Sequence, residues 1–349
     1  MVYQKNNFLK ALNKQKTDHI PFWFMRQAGR YLPEYMELRK KAGGFLDMAY
    51  NSDMAAEITL QPIRRFEMDA AIIFSDILVI PHALGQHLEF VQGEGPKLDP
   101  VRNLEEISKL NFDNFDKVLS PVYEALSKVR SGLKAEGYNK TALIGFCGAP
   151  WTVACYMVEG GGSKDFINTR KLAFSDPKAF QKLIDLLVDS SAKYLINQVN
   201  AGAQALQIFD SWAGALDAQS FSKWVIEPTK RIIDLVREVH PDIPIIGFPR
   251  CAGANYISYA NETGINALGL DQSVDTNWAA QNLQPLVPVQ GNLDPICLLT
   301  GGDALKIAAE KIITDLSDGD FIFNLGHGIH KDTPPENVAK LVKIIRGNS

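Results

Sequence analysis

The chain predicts an α/β fold whose parallel sheet closes as an eight-stranded barrel, and two features of the sequence carry that expectation. Short apolar runs recur along its whole length, most followed by a polar or glycine-containing turn and then by a helical pattern, an alternation that marks a parallel sheet. The runs are continuously apolar, as in strands covered by helices on one face and by a core on the other. Length and composition agree. The 349 residues, 46% hydrophobic and 22% charged, suit a large buried core, and α/β barrels exceed the size at which other folds divide.

In chain order the strand-like runs fall at residues 20–25, 70–74, 142–146, 205–209, 243–248, 267–270, 287–290 and 321–325. Between them, Asp176 with Pro177 opens a long helix ending near Gly202. Thr333, Pro334 and Glu336 read as a capping box with proline at the first helical position, and Asp217 as another N-cap. Residues 86–100 and 111–120 read as insertions. With no repeat, low-complexity tract or linker, one domain is expected over 1–349. The rival architecture, an open doubly wound sheet, ordinarily needs a phosphate-binding glycine turn after its first strand. RQAGRY, which follows the first run, is not such a turn.

A formal net charge of -4 leaves no chain-wide positive field to hold nucleic acid phosphates, so a nucleic-acid partner is not expected. A few arginines gathered in one cleft can still bind an anion. The opening stretch MVYQKNNFLKALNKQK lacks the apolar run and cleavage site of a secretory signal, and every long apolar stretch is broken by charge or glycine. No membrane span is therefore expected, and the expected location is the cytoplasm. Cys147, Cys155, Cys251 and Cys297 are too sparse and irregular for a disulfide framework and form no CxxC pair; buried free thiols are expected.

Active sites of barrels lie at the C-terminal ends of the strands, so the residues just after each run carry the functional reading. Arg26, Gln27 and Arg30 follow the first, Ser75 and Asp76 the second, Asp210 and Ser211 the fourth, Arg250 the fifth, Asp271 the sixth and His327 the eighth. The loop after the third carries Trp151, Tyr156 and the run Gly160, Gly161, Gly162. Arg26 and Arg30 are separated by QAG, whose glycine permits a turn that aims both guanidiniums inward. Two such forks suit several carboxylates; the alternative is a pair of surface arginines bonded to nearby loops.

Asp76 lies in AAIIFSDILVIP, where an unpartnered carboxylate is expensive to bury. Either it has an internal partner such as Arg64 or Arg65, or it caps the next turn, or it works on a ligand. His327 and His330 form HxxH, but the surrounding glycines argue against a helix that would present both rings to one metal, and no metal is expected. GGGS at 160–163 is followed by Lys164 without phosphate-loop spacing, which favours a lid or hinge.

PFWFMRQAGRYLPEY, TLQPIRRFEMDAAIIFSDIL, GFCGAPWTVACYMVEGGGS, FDSWAG, QGNLDP and FNLGHGI occur in this order along nearly all the chain. In these motifs it resembles the uroporphyrinogen decarboxylase family. The resemblance implies a distorted (β/α)8 TIM barrel, usually a homodimer. It further implies removal of carbon dioxide from the four acetate side chains of uroporphyrinogen III to give coproporphyrinogen III, in heme biosynthesis and without a cofactor. It makes Arg26 and Arg30 ligands of substrate carboxylates, with Gln27, Ala28 and Gly29 completing their loop, and Asp76 the anchor of the pyrrole NH groups. Asp76, Arg26 and Arg30 are thus the expected catalytic set, and Tyr156, Ser211 and His327 match further substrate contacts. PHALG departs from the pattern at His82, where many relatives carry an acid, so His82 receives no role. Two rivals are a corrinoid-linked methyltransferase on the same type of barrel and a noncatalytic tetrapyrrole carrier. The first would use an HxC motif to hold zinc, and this chain has none.

Overall fold

The structure, a computed structural model, describes residues 6–91 and 93–347. Its strands are β1 (Ala70–Ile72), β2 (Leu88–Val91), β3 (Gly95–Leu98), β4 (Ala142–Gly148), β5 (Ala205–Asp210), β6 (Ile245–Pro249), β7 (Ala267–Gly269), β8 (Val289–Leu293) and β9 (Phe321–Leu325). Seven of them pair in parallel in the order β1-β4-β5-β6-β7-β8-β9. Apart from the intervening hairpin of β2 and β3, neighbours in the sheet are neighbours in the chain. Parallel neighbours need a crossover, and helices such as Phe115–Ala135, Pro177–Asn200, Glu227–Val239 and Gly302–Leu316 supply it.

The two faces of the sheet bury different cores. Side chains alternate across a strand, and Ala70, Ala142, Ile144, Ala205, Ile246, Phe248, Ala267 and Ile322 cluster with Trp23, Met25 and the short helix Asn7–Leu12, apart from the larger helix-facing core. Trp23 Nε1 donates to Gln290 Oε1 at 2.8 Å, and Gln290 Nε2 donates to Gln207 Oε1 at 3.1 Å. That chain partners the Trp23 and Gln290 side chains, which would be costly if buried alone, and leaves Gln207 Nε2 buried without a partner among the described residues.

The first expected strand, 20–25, is not a ladder strand. It contributes one parallel bridge, Phe22 with Phe323, flanked by bonds from Phe323 N–H to the Pro21 carbonyl at 2.9 Å and from Trp23 N–H to the Phe323 carbonyl at 3.4 Å. Pro21 has no N–H to donate, and the Phe22 N–H goes to the Asp69 carboxylate at 3.1 Å. On the other side the Phe22 carbonyl accepts the Asp69 N–H at 3.0 Å. The second run ends at Ile72, short of the expected 74, because the Phe74 N–H is taken by the Thr59 hydroxyl at 2.9 Å.

Helix signals were met in part. Asp176 accepts from the Ala179 N–H and opens Pro177–Asn200, and Asp217 accepts from the Gln219 and Ser220 N–H groups. The capping box at Thr333 does not form: the helix starts at Pro335, Pro334 is its N-cap, and the Thr333 hydroxyl is buried without a partner. Two consecutive prolines move the start one residue on, out of reach of the threonine. Within 86–100 lies the β2–β3 hairpin, and 111–120 is no simple insertion, since its second half begins the helix Phe115–Ala135. The glycines at 160–162 end the helix Pro150–Glu159, with Gly160 left-handed at φ 83 and its carbonyl accepting the Leu98 N–H at 3.1 Å. Cys147 and Cys155 are buried free thiols as expected, but Cys251, in the turn after β6, is exposed and Cys297 is half-buried.

Candidate active site

The arginine loop is fastened at its start. Met25 N–H donates to Asn324 Oδ1 at 3.0 Å, and the Met25 carbonyl accepts the Ile329 N–H at 2.9 Å, which joins the loop to the LGHGI segment. Gln27 is fully buried; its Oε1 accepts the Phe24 N–H at 3.4 Å and its Nε2 donates to the Ala70 carbonyl at 3.3 Å. Tyr31 donates its hydroxyl to the Gln27 carbonyl at 2.7 Å. The side chain of Gln27 therefore holds the loop to the sheet.

The left-handed residue of this turn is Arg26, at φ 58, whereas Gly29 shows no positive φ. The expectation that glycine makes the turn is corrected accordingly. The stem of Arg26 lies on Gly328, where an added Cβ would stand 2.3 Å from the Arg26 Cδ. Arg26 and Arg30 are both exposed, and Ala28 is half-buried against the core. Arg30 stands toward the helix Pro33–Lys41, where its charge is felt by Tyr35.

Asp76 sits past the end of β1, half-buried, with Oδ1 accepting the Leu78 N–H at 2.8 Å. Neither arginine considered as its partner reaches it: Arg64 binds Glu136 and Glu57, and Arg65 binds Glu34. The local capping role is present, but it uses one oxygen only. Burial pushes the carboxyl up to about 6, against the Leu78 N–H and the Arg26 charge. Tyr156 feels both partners: its phenol is pushed up to about 12 by burial and the Asp76 charge, with Arg26 opposing. Arg26, Asp76 and Tyr156 therefore share one electrostatic neighbourhood.

Tyr156 projects from the helix Pro150–Glu159 and stacks on Trp212 with ring centroids 4.1 Å apart and planes tilted by 32°. Trp212 is fixed in turn, its N–H donating to the Thr152 hydroxyl at 3.1 Å and its carbonyl accepting Trp151 Nε1 at 3.0 Å. The Thr152 hydroxyl donates to the buried Asp210, the last residue of β5, so the half-buried Ser211 is held between two anchored residues.

His327 follows β9. Burial and the positive charges of Arg26 and Arg250 push its imidazole down to about 4, against Asp271, so the ring is neutral at pH 7 and offers one donor and one acceptor. The charges of Arg26 and Asp76 thus act on Tyr156 and that of Arg26 on His327, Ser211 precedes the Trp212 of the Tyr156 stack, Gln27 is buried beneath the loop and Arg30 is exposed on the side of the helix Pro33–Lys41. His82 accepts or donates a hydrogen bond with the Tyr50 hydroxyl at 2.9 Å, and Tyr50 feels the Asp76 charge. Trp212 and Tyr50 were not singled out from sequence. Trp212 lies inside FDSWAG, but only packing reveals that it backs Tyr156.

The uroporphyrinogen decarboxylase family model matches residues 3–347. The chain is 49% identical over 339 residues to the uroporphyrinogen decarboxylase of Rhodospirillum rubrum, covering 97% of this chain and 96% of the relative. It is 52% identical over 342 residues to that of a Chelativorans species, covering 98% of each. Among solved structures, a methyltransferase from Methanosarcina mazei superposes with a TM-score of 0.78 at 19% identity over 98% of each chain. A B12-independent methionine synthase from a Shewanella species reaches 0.55 at 9% identity, covering 85% of this chain and 86% of that one. At such identities these two likenesses speak for the fold alone. Sequence identity near one half along almost the full length, together with a family model spanning the chain, places this protein in the uroporphyrinogen decarboxylase family.

Proposed function

We propose that the protein removes carbon dioxide from the four acetate side chains of uroporphyrinogen III and yields coproporphyrinogen III, without metal or cofactor. The observation that carries this reading is Asp76, a half-buried carboxylate with one oxygen uncommitted among the described residues, facing the charge of Arg26 and the phenol of Tyr156. Each step consumes one proton: an acetate arm, CH2–COO−, becomes CH3 as CO2 leaves. Protonation of a pyrrole ring carbon gives a cation, and the electrons of the breaking C–C bond flow into that ring. A second proton then reaches the exocyclic carbon while the ring carbon loses the first. Asp76, ionised, accepts from the pyrrole NH groups and stabilises the cation in a site that needs no reorganisation. Arg26 and Arg30 take substrate carboxylates in charge-assisted bonds, the backbone of Gln27, Ala28 and Gly29 forms the floor beneath them, and Tyr156, Ser211 and neutral His327 add hydrogen bonds.

The same reading makes 1–349 one domain in which the stretch 20–25 is the eighth stave, bonded to β9 on one side and to the residue before β1 on the other. It also makes the protein a cytoplasmic homodimer by family analogy. No helix among the described residues is long and apolar enough to cross a membrane. Anaerobic incubation with uroporphyrinogen III, before and after exhaustive chelation, tests the function: products with seven, six, five and then four carboxyls are expected in both cases. Unchanged substrate rejects the activity in favour of a carrier, and activity lost on chelation and restored by a metal rejects the metal-free mechanism.

A further inference from the structure

Among the arginines that follow strands or strand-like runs, Arg26 and Arg30 are exposed, whereas Arg250 is half-buried. Its backbone is pinned on both sides, the N–H donating to the Asp210 carbonyl at 3.0 Å and the carbonyl accepting the Gly214 N–H at 3.1 Å. The next residue, Cys251, is left-handed at φ 60 and gives its N–H to Asp271 Oδ2 at 2.6 Å. The side chain of Arg250 is half-buried, and its Nε is buried with no hydrogen-bond partner. Arg64, Arg65, Arg231 and Arg346 all pair with carboxylates; Arg250 pairs with none among the described residues. Nearby Asp271 is already engaged by Cys251, by the Tyr256 hydroxyl at 2.7 Å and by the Ser273 N–H at 2.8 Å.

A partly buried guanidinium without an anion is costly, and a cleft that takes a polyanion can supply the missing partner. The sheet order gives the geometry. β6, which delivers Arg250, is the middle strand of β1-β4-β5-β6-β7-β8-β9, whereas Arg26 follows the stretch bonded between β9 and the start of β1. The two arginines therefore approach from opposite walls, and both charges act on His327.

We infer that Arg250 is a further carboxylate-binding residue, which receives a peripheral carboxylate of the tetrapyrrole on the wall opposite Arg26. This rests on the function proposed above. Two walls of guanidinium suit a macrocycle that bears carboxylates around its whole edge better than a single arginine loop does, because a cyclic substrate must be returned to the same site with a different arm at the reacting position. Arg250 then fixes the far side of the ring while Arg26 and Asp76 meet the reacting side.

The test compares wild type, Arg250→Gln and Arg250→Lys in steady-state decarboxylation of uroporphyrinogen III, with each fold checked by circular dichroism. Arg250→Gln is expected to raise KM about tenfold, the equivalent of one lost charged contact, with kcat within about twofold. Arg250→Lys, which keeps the charge without the fork, is expected to recover part of the loss. A ring-proton titration of the free enzyme should also show the His327 pKa rising in Arg250→Gln, which checks that the two side chains share one cleft, while the KM increase carries the binding role. Arg250→Met, which keeps the packed stem, replaces the glutamine variant if that variant does not fold. Wild-type turnover with KM unchanged in the charge-removing variant, or with only kcat reduced, overturns the Arg250 assignment by itself. Failure of wild type to act on uroporphyrinogen III overturns the proposed function, and this inference falls with it.

Discussion

Asp76 can be separated from an ordinary structural carboxylate by stability as well as by activity. Burial holds its folded pKa near 6, above the unfolded carboxylate, so the native state binds the proton more tightly than the unfolded chain. Its ionisation therefore costs stability as pH rises through about 6, and below about 4 that cost is gone. Asp76→Asn should then stabilise the fold at pH 8 by on the order of 2 kcal/mol and change it little at pH 4, while lowering turnover about 100-fold with a smaller change in KM. Gains in stability at the expense of function mark residues held in place for chemistry. Thermal melts of the variant at both pH values, alongside its kinetics, check this. A melting temperature reduced at pH 8 would make Asp76 a structural cap for Leu78, and undiminished turnover would remove it from the mechanism. In the wild type, kcat/KM should fall as pH drops through about 6, since the protonated acid no longer stabilises a cation.

Elements join these residues, and the junction of the arginine loop with the segment after β9 offers a sharp test. An alanine at 328 would place its Cβ 2.3 Å from Arg26 Cδ and 2.6 Å from Cγ. The flexible side chain yields before the backbone does, so Gly328→Ala should leave stability within about 1 kcal/mol of wild type and raise KM nearly as much as Arg26→Ala. The two substitutions together should cost little more than either alone, because both remove one interaction; additive effects would place the Arg26 stem elsewhere. How much of this was legible follows from the same elements. Seven of the eight apolar runs became parallel strands because strands buried on both faces read as unbroken apolar runs, with β9 matching its run end to end. The run at 20–25 has the same composition, but Pro21 and the Asp69 carboxylate deny it a ladder. The candidate site residues were legible as residues that follow strand ends, a position that topology sets. The turn was misassigned because left-handed geometry fell on Arg26, and nothing in RQAGR announces a non-glycine residue there. Arg250 was visible at a strand end, but what marks it is the missing partner, which only packing reveals.

At the scale of the whole molecule, Asp69 joins the stretch 20–25 to the beginning of the parallel sheet, at the end of the strands opposite the candidate site. Its N–H donates to the Phe22 carbonyl at 3.0 Å, its carbonyl accepts the Ala142 N–H at 2.9 Å, and its Oδ2 accepts the Phe22 N–H at 3.1 Å. Its Oδ1 meets His19 Nε2 at 2.8 Å, while Nδ1 of that ring lies 2.9 Å from Asn7 Nδ2. The carboxylate thus holds Phe22 and His19, while the backbone of the same residue joins the stretch 20–25 to β4. The hydrogen bond to Asp69 raises the His19 pKa, with burial opposing. A raised folded pKa means that the contribution of His19 is fully present below about 6.5 and is lost as pH rises through the folded value. The imidazole is half-exposed, which limits the gain to about 0.5 kcal/mol after screening. Asp69→Asn removes more: the asparagine cannot serve both the Phe22 N–H and His19 as a charged acceptor, and a cost of about 2 kcal/mol is expected at both pH 6 and pH 9. Scanning calorimetry of His19→Gln and Asp69→Asn at pH 6 and pH 9 separates the two effects. His19→Gln should melt about one degree below wild type at pH 6 and together with it at pH 9, whereas Asp69→Asn should melt several degrees lower at both. Both variants should keep the wild-type KM, since the tie and the arginine loop lie at opposite ends of the stretch 20–25. Equal melting of Asp69→Asn and wild type would mean that the Phe22 bridge and the packing of Trp23 hold the stave without the carboxylate.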